Sequence, residues 1–388
     1  MNWLDLAVLA LCGVAIVTGW QRGFVVRVFS WAGLVGGVAI ASWTFAKVAP
    51  HESADGSAKR FALVLLVLVA GAGLGQYLGF VLGRATRRRV VGDTAGSLDR
   101  VLGGLVGVVG VAFLVWTLLP TWADVPGWPS AAARSSRIAA WIDRNLGDPP
   151  LELGGLSSAM GLAGLPKVFS GIERSPEVNP PPAASPLDPA VVAAVEPSVV
   201  KVTGPACGML QSGSGVVVSP GVVVTNAHVV AGQTSTSVVT VGGRTVTGRV
   251  IAFDPGLDLA LVAAPALRAA PLPLSDAAVG DVGDAMGYPG GGALTVTPYR
   301  VSDRISANGR DIYDAQPVRR TIFVLGAALE RGDSGGPLIS PRGAVVGLAF
   351  AIAPDRAGVS YGIVGSDVAA FAGAARSGAA VATGPCTR

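Results

Sequence analysis

Histidine is nearly absent from this chain: its 388 residues contain two, His51 and His228. So few imidazoles exclude a histidine-built metal centre, and a reaction that needs a base near neutral pH has at most two candidates. Cysteine is almost as scarce, with Cys12, Cys207 and Cys386. None has a partner at zinc-ligand spacing, and three are too few for a small disulfide-stapled scaffold. Charge is low as well, at 14% Asp, Glu, Lys and Arg against 51% apolar residues, which excludes a disordered polyelectrolyte. The net charge of +4 comes from basic residues at the flanks of apolar stretches, not from a basic face, so no nucleic-acid partner is expected. No metal and no cofactor are expected either.

Long apolar runs take the place of charge. Four stretches, about Leu4 to Gly19, Phe24 to Ala46, Phe61 to Leu82 and Val101 to Leu119, approach the ~20 residues that carry a helix across a bilayer. A soluble domain would need to bury all four, which a mean hydropathy of +0.55 argues against. Met1-Asn-Trp-Leu-Asp5 has no basic n-region and Val17-Thr-Gly-Trp20 is a poor cleavage site, so the first stretch is expected to remain as a span rather than leave as a signal peptide. The loop between the third and fourth spans carries Arg84, Arg87, Arg88, Arg89 and Arg100, and the first turn carries Arg22. Both are expected in the cytoplasm, with Arg27 snorkelling back to the interface. Four spans then place the N-terminus and everything after Leu119 outside.

The text changes after the spans. Ile138, Trp141, Ile142 and Leu146 fall at helical spacing beside Arg134, Arg137 and Arg144, which predicts an amphipathic helix lying on the membrane or on the spans. Residues 147–190 are rich in Pro and Gly and end in Ser175-Pro-Glu-Val-Asn-Pro-Pro-Pro-Ala-Ala-Ser-Pro-Leu-Asp-Pro189. This reads as a semi-extended linker and an exposed place for self-cleavage. From Val199 onward short β-branched runs alternate with Gly and Pro, and Gly242-Gly243 has the form of a hairpin turn. The expected division is a membrane region over 1–122, a connector over 123–189 and an all-β domain over 190–388. Cys207 and Cys386 stand at opposite ends of that last domain, and outside the cytoplasm they are expected to form a bridge that pins the tail. Cys12 lies within the first span as a small apolar residue.

Within the β region, Arg331-Gly-Asp-Ser-Gly-Gly-Pro337 has the composition of a sharp turn that presents a serine hydroxyl and aims backbone N–H groups at a developing oxyanion. Such a serine needs a base. His51 sits in a polar loop between apolar segments, whereas His228 follows the strand-like run Val222-Val-Val-Thr225. The group that orients the base is expected to be Asp258, heading the short apolar strand Asp258-Leu-Ala-Leu-Val262; its competitor Asp254, beside Pro255 and Gly256, has the look of a turn residue.

Thr225-Asn-Ala-His-Val-Val230, Asp258-Leu-Ala-Leu-Val262 and Gly332-Asp-Ser-Gly-Gly-Pro-Leu338 resemble the three signature segments of trypsin-like (chymotrypsin-fold) serine proteases. The first two are nearest the HtrA branch, and the order His, Asp, Ser is that of chymotrypsin. The resemblance implies a double β-barrel with His228 and Asp258 on the first barrel and Ser334 on the second. It implies Ser334 as nucleophile, His228 as base and Asp258 as orienter, with the N–H groups of Gly332 and Ser334 as oxyanion hole. Asp333, where HtrA proteins usually have Asn, reads as a turn residue. The same resemblance puts Ala328, six positions before the nucleophile, at the floor of the specificity pocket. A small uncharged floor implies an apolar residue before the cleaved bond. The chain ends soon after the last strand, without the PDZ domain of HtrA proteins.

Gly19-Trp-Gln-Arg-Gly-Phe24 and Ser97-Leu-Asp-Arg-Val-Leu-Gly-Gly104 resemble the colicin V production (CvpA-like) membrane proteins. That anchor joined to a trypsin-like domain is similar to the MarP group, the acid-resistance periplasmic serine proteases of mycobacteria and other actinobacteria. The expected fold is therefore multi-domain, a four-helix transmembrane region followed by an all-β double barrel. The expected function is a serine endopeptidase in the cell membrane that faces the periplasm and cuts envelope proteins under acid or envelope stress. The alternative is a membrane scaffold or transporter-like protein that carries its protease domain as a sensor or inactive binding module.

Overall fold

The computed structural model of the chain describes residues 2–48, 57–90, 96–146, 174–206, 209–374 and 379–387. His51 and Cys207 lie outside the described residues. Two compact units form, one from Met1–Pro120 with Ser135–Leu153, the other from Thr121–Arg134 with Gly154–Arg388. One of the borders between them falls inside the fourth helix.

The first unit is helical. α1 (Trp3–Arg22), α2 (Phe24–Val48), α3 (Ser57–Val90) and α4 (Gly96–Asp124) come first, and α6 (Arg137–Leu146) follows the short α5 (Trp128–Ser135). Among the described residues three helices, Trp3–Arg22, Phe24–Ala41 and Gly96–Pro120, are long and apolar enough to cross a membrane. α1 begins with a capping box: the Asn2 side chain accepts the Asp5 N–H at 3.0 Å while the Asp5 carboxylate accepts the Asn2 N–H at 3.0 Å. The same carboxylate accepts Ser136 Oγ at 2.5 Å and the Ile138 N–H at 3.1 Å, so one acid satisfies the orphan donors of two helix N-termini. In α6 Ala139 and Ile142 are buried while Trp141 and Leu146 are exposed.

Polar contacts gather at one end of these helices. Asp99 of α4 accepts the Val25 N–H at 3.1 Å and Arg87 Nε at 2.7 Å, beside the turn at Gly23 that separates α1 from α2. Arg27 extends from the first turn of α2. Its guanidinium turns toward α1, where it donates to Thr18 Oγ1 at 2.9 Å, and toward α4, where Gly107 leaves room for it. Glycine also sets the approach of α2 and α3: a Cβ at Gly33, Gly37 or Gly75 would overlap a carbonyl oxygen of the facing helix, the close contact that small residues allow in bilayers.

The second unit is dominated by two closed six-stranded barrels. In the first, β1 (Val199–Ala206), β2 (Met209–Ser219), β3 (Val222–Thr225), β4 (Thr236–Val239), β5 (Thr245–Asp254) and β6 (Leu259–Ala263) pair in the order β1-β2-β3-β6-β5-β4. In the second, β7 (Val282–Gly287), β8 (Thr295–Arg310), β9 (Pro317–Gly326), β10 (Pro337–Ile339), β11 (Val345–Ile352) and β12 (Val359–Val364) pair in the order β10-β11-β12-β9-β8-β7. Most pairing is antiparallel hairpin register, and the turn at Gly242-Gly243 joins β4 to β5.

Strand alternation explains the unbroken apolar runs. Val200, Val202, Val217, Val223 and Val262 fill the first barrel, while their neighbours Val199, Val216, Val224 and Leu261 join Ile322, Val324, Leu348 and Phe350 of the second barrel in a shared core. Both faces are buried along Val216-Val217, Val223-Val224 and residues 259–262, so no polar residue interrupts those runs. At ~1.5–3 kcal/mol for each fully buried large apolar side chain, this shared core fixes one barrel against the other and thereby sets the geometry of the cleft.

The Pro-rich segment is not a free spacer from Arg174 onward. Ser175 donates through N and Oγ to Asp355 at 3.1 and 2.5 Å and accepts Tyr361 OH at 3.1 Å. Asn179 N–H donates to Ser302 Oγ at 3.1 Å, Arg300 Nε to the Pro180 carbonyl at 3.0 Å, and Ser185 Oγ to Asp284. Leu187 is buried in the shared core. Proline makes the segment extended, and side-chain hydrogen bonds then lay it along the second barrel up to α7 (Pro189–Val195). Residues 147–173, the rest of the expected linker, lie outside the described residues.

Candidate active site

His228 lies on α8, a single turn (Ala227–Val230) that leaves β3. The turn buries the histidine, and Gln211 caps its carbonyl. Asp258 precedes β6 and is fully buried. Its carboxylate accepts the His228 N–H at 2.8 Å and His228 Nδ1 at 2.7 Å. An ionised carboxylate can only accept, so Nδ1 carries the proton and Nε2 is left as the basic nitrogen. Asn226 donates to the Asp258 carbonyl at 2.9 Å, fixing the backbone of a residue held at φ 58°, a left-handed conformation that costs a non-glycine residue. Asp254 takes no part: its Oδ1 accepts the Leu257 N–H at 2.8 Å and closes the turn.

Ser334 comes from the second barrel, in the loop before β10. Gly332 has φ 104°, and a Cβ there would overlap the Tyr288 carbonyl, so only glycine serves. Neither the Gly332 nor the Ser334 N–H donates to a protein acceptor among the described residues. The loop is seated on the first barrel. Ser214 N–H donates to the Ser334 carbonyl at 2.8 Å, Ser214 Oγ donates to the Gly332 carbonyl at 2.7 Å, and the same Oγ accepts the Tyr288 N–H at 2.9 Å. A Cβ at Gly335 would overlap Ser214 O and Thr225 Oγ1, which brings the serine loop against the segment that leads to His228. No hydrogen bond joins the Ser334 hydroxyl to the His228 ring, a looseness common in such sites before substrate binds.

Asp333 is buried beside the nucleophile. One oxygen accepts the Glu330 N–H at 2.9 Å, and the other has no hydrogen-bond partner. Burial, aided by the charge of Glu330, raises its pKa, against the lowering effect of that N–H bond. A shallow depression next to Ser334 is walled by Leu329, Ala349, Phe350 and Ala351, with Glu330 and Arg331 at its edge. Ala328 is exposed between the buried Ala327 and Leu329, immediately before the segment that lines this depression. The sequence reading missed Ser214, whose Gly213-Ser-Gly215 setting in a strand marks only a place of close backbone approach. It also missed Arg320.

Two closed barrels, a carboxylate-held histidine and a glycine-flanked serine loop seated at their junction define a serine endopeptidase of the trypsin-like class. Residues 213–348 match the trypsin-like peptidase domain and residues 4–147 match the colicin V production protein family. Serine protease Rv3671c of Mycobacterium tuberculosis (strain H37Rv) is 36% identical over 403 residues, covering 99% of this chain and 98% of that protein. Periplasmic serine endoprotease DegP of Escherichia coli K12 is 38% identical over 157 residues, 39% of this chain and 32% of its own length. The crystal structure of the active form of the Rv3671c protease from M. tuberculosis superposes with a TM-score of 0.51 at 40% identity, covering 56% of this chain and 99% of that one. The chain belongs to the family of Rv3671c, and in it a colicin V production-type region precedes a trypsin-like serine protease domain.

Proposed function

We propose that this protein is a four-span membrane protease whose Ser334, His228 and Asp258 form the catalytic triad on the extracytoplasmic side, where it processes envelope proteins and supports tolerance of acid. Ser334 attacks the scissile carbonyl, His228 takes its proton through Nε2 and returns it to the leaving amine, and Asp258 holds the tautomer and stabilises the imidazolium. The N–H groups of Gly332 and Ser334 receive the oxyanion. The observation that carries the reading is the pairing of His228 with a fully buried Asp258 through both N and Nδ1, beside a serine loop with two uncommitted N–H groups. The apolar walls of the depression favour an apolar residue before the cut bond.

Three carboxyls support work in acid, two of them buried and Asp367 half-buried. Asp284, Asp333 and Asp367 have pKa values raised above 3.8 chiefly by burial. The folded enzyme binds these protons before the unfolded chain does, so their contribution to stability grows as pH falls through the raised values and is complete below 3.8. Self-cleavage belongs before Arg174, because later bonds lie in backbone held by Asp355, Ser302 and Asp284.

The tail favours a Cys207–Cys386 bridge. Val381 N–H donates to the Val250 carbonyl at 3.0 Å, Gly232 N–H to Thr383 O at 3.4 Å, and Tyr313 OH to Thr383 O at 2.9 Å, while Cys386 packs on Gly232. The tail therefore returns to the first barrel, where β1 ends one residue before Cys207.

Mapping of protein N-termini in envelopes of cells carrying the wild type or Ser334→Ala, at neutral and acid pH, tests the function. New termini on extracytoplasmic segments should appear only with the wild type. Identical termini in both strains would overturn the reading.

A further inference from the structure

We propose that Arg320 is a positioning residue for catalysis, reaching from the second barrel to hold the turn that carries Asp258 and, through it, the His228 ring. The inference rests on the triad reading above. Arg320 belongs to β9 and is 4% exposed, whereas its neighbour Arg319 lies at the surface. Its Nε donates to the Gly256 carbonyl at 2.5 Å and its Nη2 to the Arg310 carbonyl at 3.0 Å. Gly256 lies two residues before Asp258, in a turn also tethered by the Ile312 N–H to the Pro255 carbonyl at 3.2 Å. Both cross-barrel tethers therefore end on the four residues that lead into Asp258.

That turn needs holding. The Asp258 carboxylate receives its two hydrogen bonds from His228 alone, so the protein directs it through the backbone at φ 58°, not through a further side-chain donor. A turn allowed to relax out of that conformation would carry the carboxylate away and leave the imidazole free to rotate. Burying a guanidinium is unfavourable unless charge is placed against it. Here burial lowers the Arg320 pKa, while Asp258, Asp311 and Asp254 act the other way. The groups that face Asp258 are thus His228 from the first barrel and Arg320 and Tyr313 from the second. The guanidinium also lies 5.6 Å from the centroid of Phe350, whose ring lines the depression beside Ser334. One side chain backs the substrate wall and steadies the acid of the triad.

The test uses the full chain in detergent, with wild type, Arg320→Gln, Arg320→Lys and Arg319→Gln. Active sites are titrated with a fluorophosphonate, and kcat and KM for a peptide substrate are measured across pH. Per titrated site, Arg320→Gln should lose about 10- to 100-fold in kcat with little change in KM, the cost of a misplaced catalytic group. The acid limb of kcat/KM should move to higher pH, because removing a cation favours the imidazolium. Arg320→Lys should restore the limb but not the full rate, and Arg319→Gln should match the wild type. Unchanged kcat and limb per titrated site in Arg320→Gln, even with a lowered yield of folded enzyme, would overturn the proposal by making Arg320 a structural staple. A wild type that does not titrate at Ser334 would instead sink the triad reading.

Discussion

Asp333 shows how a residue beside the nucleophile can set a pH dependence without handling the reacting proton. Its folded-state pKa is raised by burial, so it weakens the fold above that value and stops doing so as pH falls and the carboxyl protonates. Asp333→Asn removes the charge and keeps the shape. It should raise the melting temperature at pH 7 by about 2–4 °C, the shift that ~1 kcal/mol gives a domain of this size, and the gain should shrink toward pH 4. A gain that grows in acid would contradict the sign of the shift. Residues of this kind differ in how visible they are from the sequence. His228, Asp258 and Ser334 stand inside contiguous motifs whose neighbours are forced by local geometry. Ser214 and Arg320 act on Gly332 and Gly256, 118 and 64 residues away in sequence. Only the folded barrels bring them there.

At the scale of elements, the β-branched runs declared the strands because both of their faces are buried, and the long apolar runs declared the helices. The Pro-rich segment announced its extended form and hid its docking, which depends on Asp355, Ser302 and Asp284 in other elements. The glycine seam between α2 and α3 makes a separate prediction. A Cβ at Gly75 would overlap Gly33, whereas one at Gly73 meets nothing within 4 Å. Gly75→Val should therefore cost the membrane unit ~1–3 kcal/mol, read as a lower unfolding temperature in detergent, and Gly73→Val should not. Equal effects of the two would show that the seam is not packed.

The whole molecule combines a membrane unit, a double barrel and a tail that touches both barrels through Val250 and Tyr313. A bridge closing the chain from Cys207 to Cys386 would stabilise by roughly 5 kcal/mol in the chain-entropy model. Cys207→Ser should lower both the melting temperature and kcat, since the tail ties together the halves of the cleft; full stability and rate would remove the bridge from the account. The central claim, a Ser334 nucleophile activated by His228 and facing away from the cytoplasm, meets its most direct test in sealed right-side-out membrane vesicles treated with a membrane-impermeant fluorophosphonate and then peptide-mapped. The account predicts an adduct on Ser334 in intact vesicles and none with His228→Ala. No adduct, an adduct on another serine, or labelling only after the vesicles are opened would contradict it.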